Sequence, residues 1–71
     1  MTYCDVMYHN GEWLVTERRD FLEDVPRGIW STKRHAVEHV ERMFNDREIN
    51  EFVVFNKEGK EEQSRYRLVR N

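Results

Sequence analysis

The sequence predicts a small α+β domain: an antiparallel β-sheet in the order β-β-(β)-α-β-β, with one helix packed on one face. Three observations lead there. Asn10-Gly11 sits between two segments rich in aromatic and β-branched residues, the composition of a tight hairpin. After Ser31-Thr32 the apolar residues recur with helical spacing. Two further strand-like segments follow, joined by a turn that contains Gly59.

The hairpin is expected over residues 2–17, because both Asn10 and Gly11 tolerate the positive φ that a two-residue turn requires. Residues 18–28 read as a loop from their charges, Pro26 and Gly28. Phe21, Leu22 and Val25 would fold that loop back onto the body, and Ile29-Trp30 would add a short strand or an anchor before the helix. The helix is placed at residues 32–45, with a hydroxyl N-cap from Ser31-Thr32. Ala36, Val37, Val40, Met43 and Phe44 share one face of it, while Lys33, Arg34, Glu38, Glu41 and Arg42 fall elsewhere. A polar stretch to Asn50 ends it. Phe52-Val53-Val54-Phe55 is a strand core, and residues 56–60 form a turn with Gly59 in the left-handed region. Alternation over residues 64–69 predicts a last strand with one apolar face. The expected core gathers Trp13, Val15, Val37, Val40, Phe44, Tyr66 and Leu68.

Seventy-one residues make one domain, residues 1–71, with no repeat and no Ser/Gly linker. A domain of this size buries only about 60% of its unfolded surface. Its 12 basic and 14 acidic residues nearly cancel, leaving a net charge of −2. That balance argues against an acidic mimic of DNA, and against a strongly basic nucleic-acid binder. No apolar run is long enough to span a membrane or to serve as a signal peptide. A single cysteine, Cys4, cannot close an internal disulfide, so a cytoplasmic location is expected.

Catalytic chemistry finds little support. His35-Ala36-Val37-Glu38-His39 matches the H-x-x-E-H string of one zinc-peptidase class, and histidines four apart share a helix face. A third ligand and a substrate cleft are needed as well, and Cys4 and His9 lie on a strand with opposite side-chain parity. The expectation is two solvated histidines and no metal. Cys4 alternates with Val6 and Tyr8 as a core residue would, with no base placed to activate it. The carboxylates all lie in charged stretches, and no Gly-rich phosphate loop exists. No catalytic residue and no cofactor is expected; the chain reads as a non-enzyme.

Gly11-x-Trp13-x-Val15, Thr32-Lys33-x-x-Ala36-Val37 and Phe52-Val53-Val54-Phe55-x-x-x-Gly59 together resemble a bacterial domain-of-unknown-function family. The resemblance spans residues 10–60 and rests on a G-x-W-x-V hairpin, a T-K-x-x-A helix start and a V-V-x-x-x-x-G strand-turn. Residues 21–26 and the Arg-rich last strand depart from the pattern. The resemblance implies a short protein of bacteria, archaea or phages, a fold, and no assigned reaction.

Two features point to a partner. Lys33, Arg34 and His35 occupy the first helical turn, and Asp46 and Glu48 follow the last, both against the helix dipole. Arg65 and Arg67 share a face of the last strand. The apolar count points further. Phe52 to Phe55 and Trp13-Leu14-Val15 place apolar side chains on both faces of the sheet, and one helix covers only one. The favoured reading is therefore a non-enzymatic protein-binding domain, a bacterial or phage modulator or inhibitor of a host protein, with a second copy as one candidate partner. Its contact residues would be Leu14, Phe21, Leu22, Lys33, Arg34, Arg65 and Arg67. The alternative is a nucleic-acid-binding module using the basic residues of the last strand and of the helix N-terminus.

Overall fold

The computed structural model describes residues 2–19 and 25–68. Along them run β1 (Thr2–His9), β2 (Glu12–Arg19), β3 (Val25–Trp30), α1 (Lys33–Asn45), β4 (Glu51–Phe55) and β5 (Glu61–Tyr66). The α+β class, and the one helix among the described residues, agree with expectation. Asn10 and Gly11 carry φ of 48° and 83°, which closes the β1–β2 hairpin in two residues.

The sheet order is β3-β2-β1-β4-β5. It is mixed rather than wholly antiparallel, because β4 pairs with β1 in parallel while the other pairs are antiparallel. The reason lies in the crossover. β3 leaves one edge, α1 carries the chain back along the sheet, and β4 enters on the far side of β1 in the same direction.

Register decides which side chains meet the helix. Cys4 faces Glu17, Val6 faces Val15 and Tyr8 faces Trp13 across the hairpin. Phe52 and Val54 continue the Cys4 and Val6 rows on β4. Against this face α1 lays Ala36, Val40, Met43 and Phe44, all buried. Ala36 has only a methyl group there, so the helix approaches closely. Phe44 meets Phe52 edge-on, with centroids 5.7 Å apart. Each large apolar side chain buried here contributes roughly 1.5–3 kcal/mol.

Four expectations need correction. Residues 25–30 form an edge strand rather than a loop with a short tail. Pro26 fits there because an edge strand need not donate on its outer side. The last strand starts at Glu61 and ends at Tyr66, and every residue of it is exposed, so it has no apolar face. Tyr66 and Leu68, expected in the core, are 72% and 79% exposed. Tyr66 pairs with Glu51 and so falls on the face away from the helix, and Leu68 lies beyond the strand's end. Finally, Ile49, within the stretch read as polar, is buried, at 1% exposure.

Both helix ends are better satisfied than the charge pattern implied. Thr32 Oγ1 accepts from the His35 N–H as the N-cap. At the other end the Glu48 N–H donates to the Met43 carbonyl and the Arg47 N–H to the Phe44 carbonyl. That pair of bonds is a Schellman cap, with Arg47 at φ 62° in the left-handed position. Arg42 lies in the last turn, and the Arg67 guanidinium donates from Nη2 to the Phe44 carbonyl at 2.8 Å. The negative end of the dipole therefore meets two cations, despite Asp46 and Glu48.

Candidate protein-interaction surface

Among the described residues no helix covers the second face of the sheet. Its rows follow from the same registers. At the end near the Asn10-Gly11 turn, Ile29, Leu14 and Met7 stand side by side on β3, β2 and β1. The β1–β4 offset places Phe55 next in that row. Ile29 and Met7 are 59% and 45% exposed, and Leu14, Val53 and Phe55 are half-buried. A middle row holds Val53, Asp5, Thr16 and Pro26. The far row holds Tyr66, Glu51, Tyr3 and Arg18, with the Arg18 guanidinium 5.5 Å from the Tyr3 ring centre. The result is an apolar band across four strands, bounded on one side by polar and aromatic side chains. Contiguous apolar surface of this kind marks interaction sites.

Of the residues expected to contact a partner, Leu14 stands in the centre of this band. Phe21 and Leu22 lie outside the described residues. The four basic candidates are elsewhere. Lys33 forms an ion pair with Glu62 and sits 5.7 Å from the Trp13 ring centre. Arg34 pairs with Glu38 one helical turn on, at 3.3 Å. The guanidinium carbons of Arg65 and Arg67 lie 4.7 Å and 4.2 Å from the Phe44 ring centre, at the end of the core. The basic candidates therefore form no shared patch with Leu14. Ile29 and Met7 are the band's most exposed members. Ile29 is expected from sequence on a short strand or as an anchor, and its adjacency to Leu14 follows only from the β2–β3 pairing.

Two bulges direct ionic contacts on the helix side. The β2–β3 register shifts at Val15/Thr16, leaving Arg27 unpaired in the ladder. Its Nε lies 3.4 Å from the buried Glu17 carboxylate. The β4–β5 register shifts at Val54/Phe55, and the extra residue there is Glu62, the partner of Lys33. Gly28 allows the Trp30 ring to lie flat across the strand; a Cβ there would come 2.4 Å from that ring.

The remaining chemical candidates are distributed singly. Cys4 is fully buried opposite Glu17, and desolvation, followed by that carboxylate, pushes its thiol up to about 12. His39 stacks on Trp30 at 4.6 Å, and burial, then Arg42, lowers its pKa. His35 is exposed and its Nδ1 lies 2.9 Å from Thr32 Oγ1. Among the described residues no group of three or more His, Cys, Asp or Glu side chains is placed to hold a metal ion. An open cleft of about 270 Å³ lies between Trp13, Lys33, Asn56, Lys57, Glu58 and Glu62. Its cations and carboxylates balance, so it presents no single-signed field to a ligand. Among the described residues no helix is long and apolar enough to cross a membrane.

Comparison of the chain with protein-family models, with curated proteins and with solved structures gives no match.

Proposed function

We propose that the protein is a non-enzymatic protein-binding domain that docks through the open face of its sheet. The observation that carries this reading is the Ile29–Leu14–Met7 row, apolar, contiguous and uncovered by the helix. The edges of the sheet support it by contrast. β3 carries Pro26 and a bulge at its edge, and β5 presents charged and polar side chains along its length. Both devices discourage strand addition, which leaves the face as the favoured docking site. Two or three apolar anchors, each contributing roughly 1.5–3 kcal/mol on burial, suffice for micromolar affinity. A modulator or inhibitor of another cytoplasmic protein is the role such a domain would play. The nucleic-acid alternative has weaker support, because Arg65 and Arg67 are committed to Phe44 and Lys33 to Glu62.

The test is affinity capture by the wild-type chain and by Met7→Glu/Ile29→Glu, each with and without nuclease. Proteins retained after nuclease by the wild type and lost with the variant are the expected result. Capture that the double substitution leaves unchanged would move the site off this face.

A further inference from the structure

We infer that α1 and β3 form a pH-sensitive clasp: protonation of His39 breaks its stack on Trp30, loosens the edge strand and draws Ile29 out of the apolar row, so that mild acid weakens the docking face. The inference rests on the docking reading and names how that face is regulated.

The backbone holds β3 weakly. The strand pairs with β2 alone, its ladder is broken by the bulge at Val15/Thr16, and Pro26 has no N–H to give. Its hold on the helix side therefore falls to side chains. The positions facing that side are Trp30, Gly28 and Val25, with Arg27 turned there by the bulge. Gly28 has no side chain to offer, and Val25 is 42% exposed. Two ties remain. Arg27 reaches the buried Glu17 carboxylate. The Trp30 ring, laid across Gly28, packs against the core and stacks on His39, with centroids 4.6 Å apart and planes inclined by 35°.

Trp30 and Ile29 are neighbours on one strand and point to opposite faces. A shift of the Trp30 ring beneath the helix is thus passed through the backbone to Ile29, beside Leu14 on the open face.

The imidazole is the member of the clasp whose charge changes near neutral pH. The charged groups that act on it are Arg42 on its own helix, Arg27 on β3 and Glu48 on the turn after α1. Protonation would add a third cation to the two guanidiniums, while the Glu17 carboxylate is already engaged by Arg27. An indole face attracts a cation. Burial first, and then Arg42, act the other way and hold the His39 pKa below its ordinary 6.5. A histidine depressed in this way lends its contact full strength above 6.5 and loses it as pH falls through the lower folded value. The clasp therefore opens below 6.5.

The experiment is an NMR titration of the whole labelled chain from about pH 8 to about pH 5, a range that spans the histidine transition. The His39 ring should titrate with a midpoint below 6.5, and the Trp30 indole and Ile29 methyl resonances should follow with the same midpoint. Amide exchange, corrected for its intrinsic pH dependence, should show the protection of β3 falling about 2-fold or more through that window, with β1 and β4 unchanged. In His39→Phe, which keeps a ring against Trp30 and cannot be protonated, both responses should vanish. A His39 midpoint at or above 6.5 overturns the inference. So does an Ile29 methyl signal that does not follow His39 in the wild type, a comparison that needs no substitution. A response that survives in His39→Phe belongs to His9 or His35 and overturns it too. Affinity capture at about pH 7.5 and about pH 5.5, on either side of the transition, separates the switch from the docking reading. Capture weakened by acid in the wild type but not in His39→Phe supports the switch. Capture that needs Met7 and Ile29 yet is equal at both pH values overturns the regulation alone. No capture at either pH overturns the docking reading, and the titration then decides the clasp by itself.

Discussion

Cys4 shows how position rather than residue type sets chemistry. On β1 it is enclosed by the helix face and stands opposite Glu17, so both desolvation and a nearby carboxylate oppose its thiolate. Its thiol is raised from 9.0 to about 12. An acid weakened by folding adds stability below its unfolded pKa and loses it as pH rises through the folded value. The window is therefore about pH 9 to 12. Two outcomes are expected. Native protein at pH 8 should alkylate only as fast as it opens, far below the rate of the urea-unfolded chain. The fall in urea midpoint above pH 9 should also be shallower in Cys4→Ala than in the wild type; equal slopes would show that the thiol does not sense the fold. The burial of Cys4 was legible from its alternation with Val6 and Tyr8. Its carboxylate neighbour was not, because Glu17 is thirteen residues away in sequence and reads as a solvated charge until the hairpin register is known. The same holds for Arg27, which reaches Glu17 only because a bulge turns it.

At the scale of elements, local signals were read well and tertiary ones poorly. The hairpin turn, the N-cap at Thr32 and the Gly59 turn each depend on a few adjacent residues, and each falls where it was expected. Asn56 adds to the last of these by accepting from the Glu58 and Lys60 N–H groups. The helix ends at Asn45 as expected, but the form of its cap was not legible, for a definite reason. Its left-handed position is held by Arg47, where glycine would have announced the cap. A side chain there carries a backbone cost of about 1 kcal/mol. Arg47→Gly should remove part of it, raising stability by about 0.5–1 kcal/mol. For a domain this small that corresponds to about 2–8 °C in melting temperature. Scanning calorimetry of the single variant measures it, and a lowered melting temperature would mean that the Arg47 side chain holds something the cap geometry does not require. Ile49 escaped notice because an isolated apolar residue has no period; it is buried because the cap turns the chain back under the sheet's end. The optional third strand was expected only at Ile29-Trp30, and its extent back to Val25 was hidden because Pro26 and Gly28 read as loop residues; on this edge strand Gly28 receives the Trp30 ring.

For the whole molecule, the parallel β1–β4 pairing has no sequence signature. It joins strands some fifty positions apart, and only the crossover by α1 fixes its direction. That topology disposes of the charge in a way composition could not reveal. Among the basic residues that had pointed to nucleic acid, Lys33 answers Glu62, Arg34 answers Glu38, and Arg65 and Arg67 lie over Phe44. The guanidinium of Arg27 is drawn to Glu17 on the helix side. With a net charge of −2, the chain has no large surplus of cations to give to phosphates. Nucleic-acid affinity rises through phosphate neutralisation, with a log–log salt slope of about −0.9 for each phosphate on duplex DNA. Titrating labelled duplex and single-stranded DNA into the protein at about 50 mM and about 200 mM salt should therefore give dissociation constants weaker than about 100 μM at both. The apolar contact proposed for the open face has the opposite signature, since burying hydrocarbon releases no counterions and its affinity holds or rises with salt. Micromolar DNA binding with a slope steeper than about −3 would require at least three neutralised phosphates. If Arg65→Ala and Arg67→Ala abolished that binding while leaving the circular dichroism unchanged, the basic cluster at the end of the helix, and not the sheet face, would be the functional surface.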